Sequence, residues 1–364
     1  MKRLLILWIL LCLAVSTTKG QSVNLEFTEA SDLTILGKVF PDTPNPYERM
    51  DFSISEGWEH KDSTLLEMSS GIFVSFKTDS PSIWVKPQFK ALSGTRNSGW
   101  AARGFDLYIK SKDGKWIWGG VCNYKSTLNT ENGLERSLVV NMDNSLKECI
   151  LYLPTESKLS SLKIGVEKGS TLEKGEIPFR HRICLHGSSF IHGVATGRAG
   201  QTVPGYLTRA TGMQFCSLGV SGDCRMQPQF ARALAQADVD AFVFDAFSNG
   251  NAKTVKANLF NFIETIKNAK PGVPLIFIST IWREKRNFDR EHDHDEKEKI
   301  AMADSLMAIA VKKYRDVYYI ESNATSPDHD TTVDGVHPGE WGYYLWAESI
   351  RKPILRILRK YGIR

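Results

Sequence analysis

What the chain lacks narrows its class first. Beyond residue 20 no stretch approaches the roughly 18 consecutive apolar residues that a membrane-spanning helix needs, so a polytopic membrane protein is excluded. Charge of one sign is missing too. The net charge is +5, but Lys2, Arg3 and Lys19 lie in the first twenty positions, and without them 43 basic residues face 41 acidic ones. So balanced a chain carries no electrostatic footprint for nucleic acid. Cysteine is sparse: Cys12, then Cys122, Cys149, Cys184, Cys216 and Cys224, with no Cys-x-x-Cys pair. Five widely spaced cysteines after the leader fit neither a zinc site nor a disulfide scaffold. One bridge stays open, while Cys184 and Cys216 read as small core residues within apolar runs. With 42% hydrophobic and 24% charged residues over 364 positions, the chain is neither disordered nor collagenous and has length for about two domains.

The first segment reads as an address. Lys2 and Arg3 precede an apolar run from Leu4 to Val15, and Thr18 and Gly20 offer small residues for cleavage before Gln21. The run is too short to span a bilayer, so residues 1–20 are expected to be a secretory signal peptide and the mature chain to be exported.

Two textures follow. Over residues 21–178 the pattern is short and strand-like, with Phe105 to Lys110 alternating, a Lys112-Asp113-Gly114-Lys115 turn and a resumed run at Trp116, which predicts a hairpin. Gly71 to Phe76, Ser82 to Val85, Leu138 to Val140 and Cys149 to Leu153 are further strands, so this part is expected to be a β-sandwich. Trp58, Trp84, Trp100, Trp116 and Trp118 are expected to fill its core, the other reading being that one or two line a sugar-facing surface. Over residues 179–364, continuous apolar runs at Ile183–Leu185, 215–218, Ala241–Phe244, Leu275–Ile278 and Val317–Ile320 alternate with helical periodicity at 227–237, 255–269, 298–314 and 340–361. Strand and helix in alternation predict an open α/β fold, a parallel sheet with helices on both faces. In such a sheet the chemistry sits beyond the carboxyl ends of the strands.

Those ends carry four blocks. His186-Gly187-Ser188-Ser189 follows the first strand, Gly219-Val220-Ser221-Gly222-Asp223 the second, and Asp245-Ala246-Phe247-Ser248-Asn249-Gly250 the third. Asp334-Gly335-Val336-His337 precedes the last helix. A neutral imidazole can take a serine proton near pH 7, a carboxylate beside it can fix its tautomer, and free N–H groups can stabilise an oxyanion. In this order the blocks resemble the SGNH hydrolases, or GDSL-type esterases. The resemblance covers about residues 180–364 and implies a flavodoxin-like three-layer fold behind a jelly-roll-like sandwich, in a bacterial branch similar to carbohydrate esterase family 2. It implies Ser189 as nucleophile, with Asp334 and His337 completing a triad, and the Ser189 N–H, Gly222 and Asn249 as oxyanion hole. The third block departs from the family's usual Gly-x-Asn-Asp, and the first has serine where the family usually has aspartate before the nucleophile.

Other residues are placed by position. His192, three residues after Ser189, and Trp282 and Arg283, after the fourth strand, are tentative substrate contacts. Glu291-His292-Asp293-His294-Asp295-Glu296 reads as a solvated loop and acidic first helical turn rather than a metal site. No metal or organic cofactor is expected. The expected activity is acyl, foremost acetyl, ester hydrolysis on carbohydrate by an exported, periplasmic or extracellular enzyme. The alternatives are a non-catalytic carbohydrate-binding protein and a lipase or lysophospholipase.

Overall fold

The computed structural model describes residues 23–92, 98–127 and 131–364; the expected signal peptide lies outside them. The N-terminal part contains β1 (Leu25–Glu29), β2 (Thr34–Leu36), α1 (His60–Leu66), β3 (Phe73–Thr78), β4 (Ile83–Ala91), α2 (Gly99–Ala102), β5 (Phe105–Lys110), β6 (Trp116–Cys122), β7 (Arg136–Val139), β8 (Lys147–Tyr152), β9 (Lys158–Glu167) and β10 (Leu172–Lys174). One antiparallel sheet runs β1-β9-β4-β7 and the other β10-β3-β8-β5-β6, with β2 on β3. The strand period of two builds the core between them: along β4, Ile83, Val85 and Phe89 are buried while Trp84, Lys86 and Gln88 face outward.

The tryptophans do not fill that core. Trp84 takes the outward register of β4, Trp100 and Trp118 are 43% and 51% exposed, and Trp58 packs edge-on against Phe230 of the second half. Phe, Leu, Ile and Val side chains occupy the space between the sheets, because they carry no ring N–H that needs a partner.

The second half contains β11 (Arg180–Gly187), α3 (Ser189–His192), α4 (Val203–Thr211), β12 (Met213–Gly219), α5 (Pro228–Leu234), β13 (Ala241–Asp245), α6 (Ala252–Ala269), β14 (Leu275–Ile278), α7 (Arg290–Lys313), β15 (Val317–Ile320) and α8 (Glu340–Arg359). Its parallel sheet has the order β12-β11-β13-β14-β15. Alternate strand residues face two cores. Cys184, Phe242, Phe244 and Phe277 meet Phe230 of α5, Phe262 and Ile266 of α6 and Met307 of α7. On the other face, Ile183, Leu185, Val243 and Ile276 meet Leu207 of α4 and Trp346 and Ile350 of α8. This is the flavodoxin-like three-layer arrangement, whose strand order reverses at β11, the point beyond whose strand ends such sheets bind their ligands.

One expectation is corrected in this half. Helix α7 starts at Arg290 rather than near 298: Asp289 accepts the His292 N–H as N-cap, and Glu291 and Asp293 occupy the first turn, where acidic groups suit the helix dipole. The acidic-histidine run is thus helical from its first residue. Cys122, Cys149, Cys184, Cys216 and Cys224 are all free and buried, so no bridge forms among them.

Buried polar contacts join the halves. Arg49, wholly buried, donates from Nε to the Met68 carbonyl (2.8 Å), from Nη2 to that of Leu65 (2.6 Å) and from Nη1 across the interface to that of Gly219 (2.8 Å). Asp106 on β5 accepts from Arg198 (2.8 Å) and from the Gly200 N–H (3.0 Å).

Candidate active site

Strand β11 stops at Gly187, and a single helical turn begins at once. Ser188 caps it, its hydroxyl accepting the Phe190 N–H, and Gly193 ends it with φ +88°. Ser189 therefore stands at the first helical position, where its N–H has no intrahelical acceptor. Its Oγ lies 3.0 Å from His337 Nε2. His337 Nδ1 lies 2.8 Å from Asp334 Oδ2. A carboxylate only accepts, so Nδ1 carries the proton and the Nε2 lone pair faces the serine hydroxyl. This imidazole packs nearly perpendicular to the Phe190 ring, with ring centroids 5.7 Å apart.

The loop that presents the pair is self-bracing. Asp334 Oδ1 accepts the N–H groups of Val336 (3.0 Å) and His337 (2.7 Å), Gly335 turns the chain at φ +81°, and the Val333 N–H reaches the His337 carbonyl at 2.8 Å. Partial burial would push the Asp334 carboxyl up, but the hydrogen bonds from the His337 backbone and ring, with the histidine's charge, outweigh it and hold the group below its ordinary value.

Glu284 clamps this loop from outside, and sequence reading missed it. It opens a 3₁₀ turn after β14. Its Oε1 accepts the Thr331 N–H (2.7 Å) and hydroxyl (2.8 Å), and its Oε2 accepts those of Thr332 (2.9 and 2.6 Å). The next residue, Lys285, donates its N–H to the Gly335 carbonyl at 2.8 Å. Burial alone would raise the Glu284 carboxyl; the four donors hold it below its usual value. A glutamate 47 residues before Thr331 has no local pattern that would announce this.

The remaining expected donors lie on two tied turns. Gly222 has φ +68°, a conformation that favours glycine, and its carbonyl is held by Lys61 (3.1 Å) and Arg225 (3.0 Å). Among the described residues its N–H has no hydrogen-bond partner. Asn249 accepts the Cys224 N–H at its Oδ1 (3.1 Å), which fixes the amide orientation and leaves Nδ2 as a donor.

The three tentative substrate contacts fare differently. His192 is 1% exposed. Its Nε2–H donates to the Thr155 carbonyl (2.8 Å) and its Nδ1 accepts from Arg49 (3.3 Å), so it pins the sandwich to the turn carrying Ser189 rather than meeting substrate. Burial, then the Arg49 charge, lowers it to about 3. Arg283 is a brace: it donates to Glu296 (2.9 Å) and to the Ser248 carbonyl, holding the turn before Asn249. Trp282 lines a surface cleft with Asn323, Ser326 and His329, its indole N–H on Asn287 (3.0 Å).

The comparisons with known proteins agree with this architecture. The sequence profile of the GDSL-like lipase/acylhydrolase family matches residues 180–356, and a profile for the N-terminus of SGNH-hydrolase-type esterases matches residues 25–172. No curated protein sequence matches. A GDSL-like lipase from Bacteroides ovatus is similar at 32% identity and TM-score 0.87, over 92% of this chain and 98% of that one. A salicylyl-acyltransferase from a tetracycline biosynthetic pathway superposes at TM-score 0.72 with 19% identity, over 93% of this chain and 99% of its own. A family two carbohydrate esterase from Cellvibrio japonicus does so at 0.59 with 11% identity, over 92% of this chain and 98% of that one. The last two show likeness of fold alone. The chain belongs to the GDSL-like, or SGNH, lipase/acylhydrolase family, with the N-terminal region typical of its SGNH-hydrolase-type esterases. By family it is an ester hydrolase.

Proposed function

We propose that the protein is a serine esterase that works outside the cytoplasm and removes small acyl groups, foremost acetyl, from carbohydrate hydroxyls. The observation that carries the chemistry is the continuous chain from Asp334 through His337 to Ser189, with contacts of 2.8 and 3.0 Å. Ser189 Oγ attacks the ester carbonyl as His337 Nε2 takes its proton. Asp334 holds the imidazole in the reactive tautomer and offsets the charge it acquires. The oxyanion is met by the N–H groups of Ser189 and Gly222 and by Asn249 Nδ2. His337 then protonates the leaving alcohol, and water, activated by the same histidine, releases the acid. The carbohydrate side of the reading draws support from the fold likeness to a family two carbohydrate esterase, and export from the leader-like residues 1–20.

The test is hydrolysis of 4-nitrophenyl acetate by purified protein beside Ser189→Ala, followed by acetate release from a panel of acetylated polysaccharides. Turnover lost with Ser189 and acetate freed from at least one polysaccharide is the expected result. Equal turnover by both proteins removes Ser189 as nucleophile, and activity on lysophospholipid with none on any polysaccharide reassigns the substrate.

A further inference from the structure

Beneath the proposed nucleophile lies a carboxylate to which the mechanism above gives no part. Asp245 ends β13, beside Gly187 in the sheet register, and is wholly buried. The approach is so close that a Cβ on Gly187 would stand 2.7 Å from the Asp245 Cβ and 3.1 Å from its Oδ2, so only glycine fits there. Oδ2 accepts both the Ser188 N–H (3.1 Å) and the Ser188 hydroxyl (2.5 Å). Oδ1 accepts the Ser248 hydroxyl. Ser188 immediately precedes Ser189, and Ser248 immediately precedes Asn249. One side chain thus holds the residue before the serine with one oxygen and the residue before the amide with the other.

The donors are committed. The Ser188 hydroxyl already accepts the Phe190 N–H, so its proton goes to Asp245. Burial pushes the Asp245 carboxyl up, while the Ser188 and Ser248 hydrogen bonds and the Arg283 charge pull it down. An acceptor at both oxygens is what the surrounding donors require, and that is the ionised form. A buried charge is costly unless every lone pair so engaged is satisfied, which makes this contact set rigid rather than adaptable.

We propose that Asp245 is a positioning residue that sets the Ser189 turn and the Asn249 turn at a fixed separation, so that the Ser189 N–H and Asn249 Nδ2 converge on one oxyanion. The inference rests on the serine-esterase reading of the same site. It acts through Asn249, because Ser248 is the arm that reaches that turn, and it acts when charge develops on the substrate oxygen rather than when substrate binds.

The experiment uses the full chain and 4-nitrophenyl acetate. Asp245→Asn keeps the shape but puts an amide N–H₂ against hydroxyl and amide donors; kcat should fall on the order of 100-fold, about the loss of one oxyanion donor, with KM within about threefold. Ser248→Ala removes one arm while the Ser188 N–H and hydroxyl still donate to the other carboxylate oxygen, so it tests the idea even where Asp245→Asn does not fold. It should lower kcat about tenfold in the native background, as displaced catalytic groups do, and have little further effect in Asn249→Ala. Folded Asp245→Asn with native kcat overturns the proposal. So does a Ser248→Ala loss that is equally large with and without Asn249, or one seen only in KM. Ser189→Ala serves as the control: activity there defeats the underlying esterase reading by itself, whatever Asp245 does.

Discussion

Acid should unfold this protein through two histidines that do no chemistry. His192 sits in the interface between the halves, and His186 lies under the sheet's aromatic layer, stacked on Phe230. Burial lowers His186 to about 4 and, with the Arg49 charge, lowers His192 to about 3. Both are neutral when folded, whereas in the unfolded chain each takes up a proton near an ordinary histidine value of about 6.5. Below that value the unfolded state binds more protons, so stability is intact above about pH 7 and falls as pH drops towards the folded values. Between pH 7 and pH 5 each histidine removes about 2 kcal/mol, at about 1.4 kcal/mol per pH unit. Together that is about 4 kcal/mol, a large share of the roughly 5–15 kcal/mol that holds a folded protein. Asp106 and Asp245, pushed up by burial, oppose this by taking protons in the folded state. The comparison with His192→Gln cancels their effect, since both proteins carry them. Glutamine keeps a donor for the Thr155 carbonyl and an acceptor for Arg49 but cannot titrate. Urea unfolding followed by tryptophan fluorescence at pH 7, 6 and 5 is the assay. The variant should be less stable at pH 7 yet lose about 2 kcal/mol less on acidification. Parallel loss in the two proteins would refute the argument.

The remaining predictions concern turnover. Ser189→Ala should cost at least about a thousandfold in ester hydrolysis without changing the circular dichroism spectrum. Asn249→Ala should lower kcat by roughly 100- to 1,000-fold and KM much less; a change confined to KM would reassign the amide to substrate binding. Asp334→Asn should slow the reaction strongly, because the amide can hold the wrong imidazole tautomer and cannot offset the charge His337 acquires; a native rate would leave Ser189 and His337 as a dyad. Glu284→Gln replaces one of two accepting oxygens with a donor facing Thr331 and Thr332, and a displaced His337 should cost on the order of 100-fold in kcat. Steady-state kinetics with an unchanged kcat would show that the loop holds its shape without Glu284.

Residues that repeat or cluster were legible; residues that act across the fold were not. The five strands of the parallel sheet announce themselves as unbroken apolar runs because both faces are buried, and Leu275–Ile278 and Val317–Ile320 match the structure residue for residue. Strand β9 gave no such signal. Its buried residues Leu159, Leu162 and Ile164 are out of step, because the pairing with β4 shifts register opposite Phe89. Helix α4 is not among the segments the periodicity marks; Thr202 is its N-cap and Pro204 sits in its first turn. At the site, strand ends and a three-residue spacing mark Ser189, Asp334 and His337, and the fold brings the three side chains within hydrogen-bonding distance. Glu284, Asp245 and Arg49 work through contacts 47, 57 and 170 positions away, and no window along the chain contains both partners. His192 misled because closeness to the nucleophile in sequence says nothing about which side of the turn a ring occupies.

Arg49 has a consequence for how this molecule could have been assembled and how it can be taken apart. Its guanidinium is held by backbone carbonyls of both halves, Leu65 and Met68 on one side and Gly219 on the other. Gly219 begins the turn that carries Gly222. A hydrolase half cut free at the linker would lose the Arg49 donor to that carbonyl and the Thr155 acceptor of the His192 ring. A foreign sandwich without an arginine at this point would lack that donor to the Gly219 carbonyl. The two halves are therefore coupled at this turn, and the sandwich acts as a brace for the hydrolase rather than as an accessory attached to it.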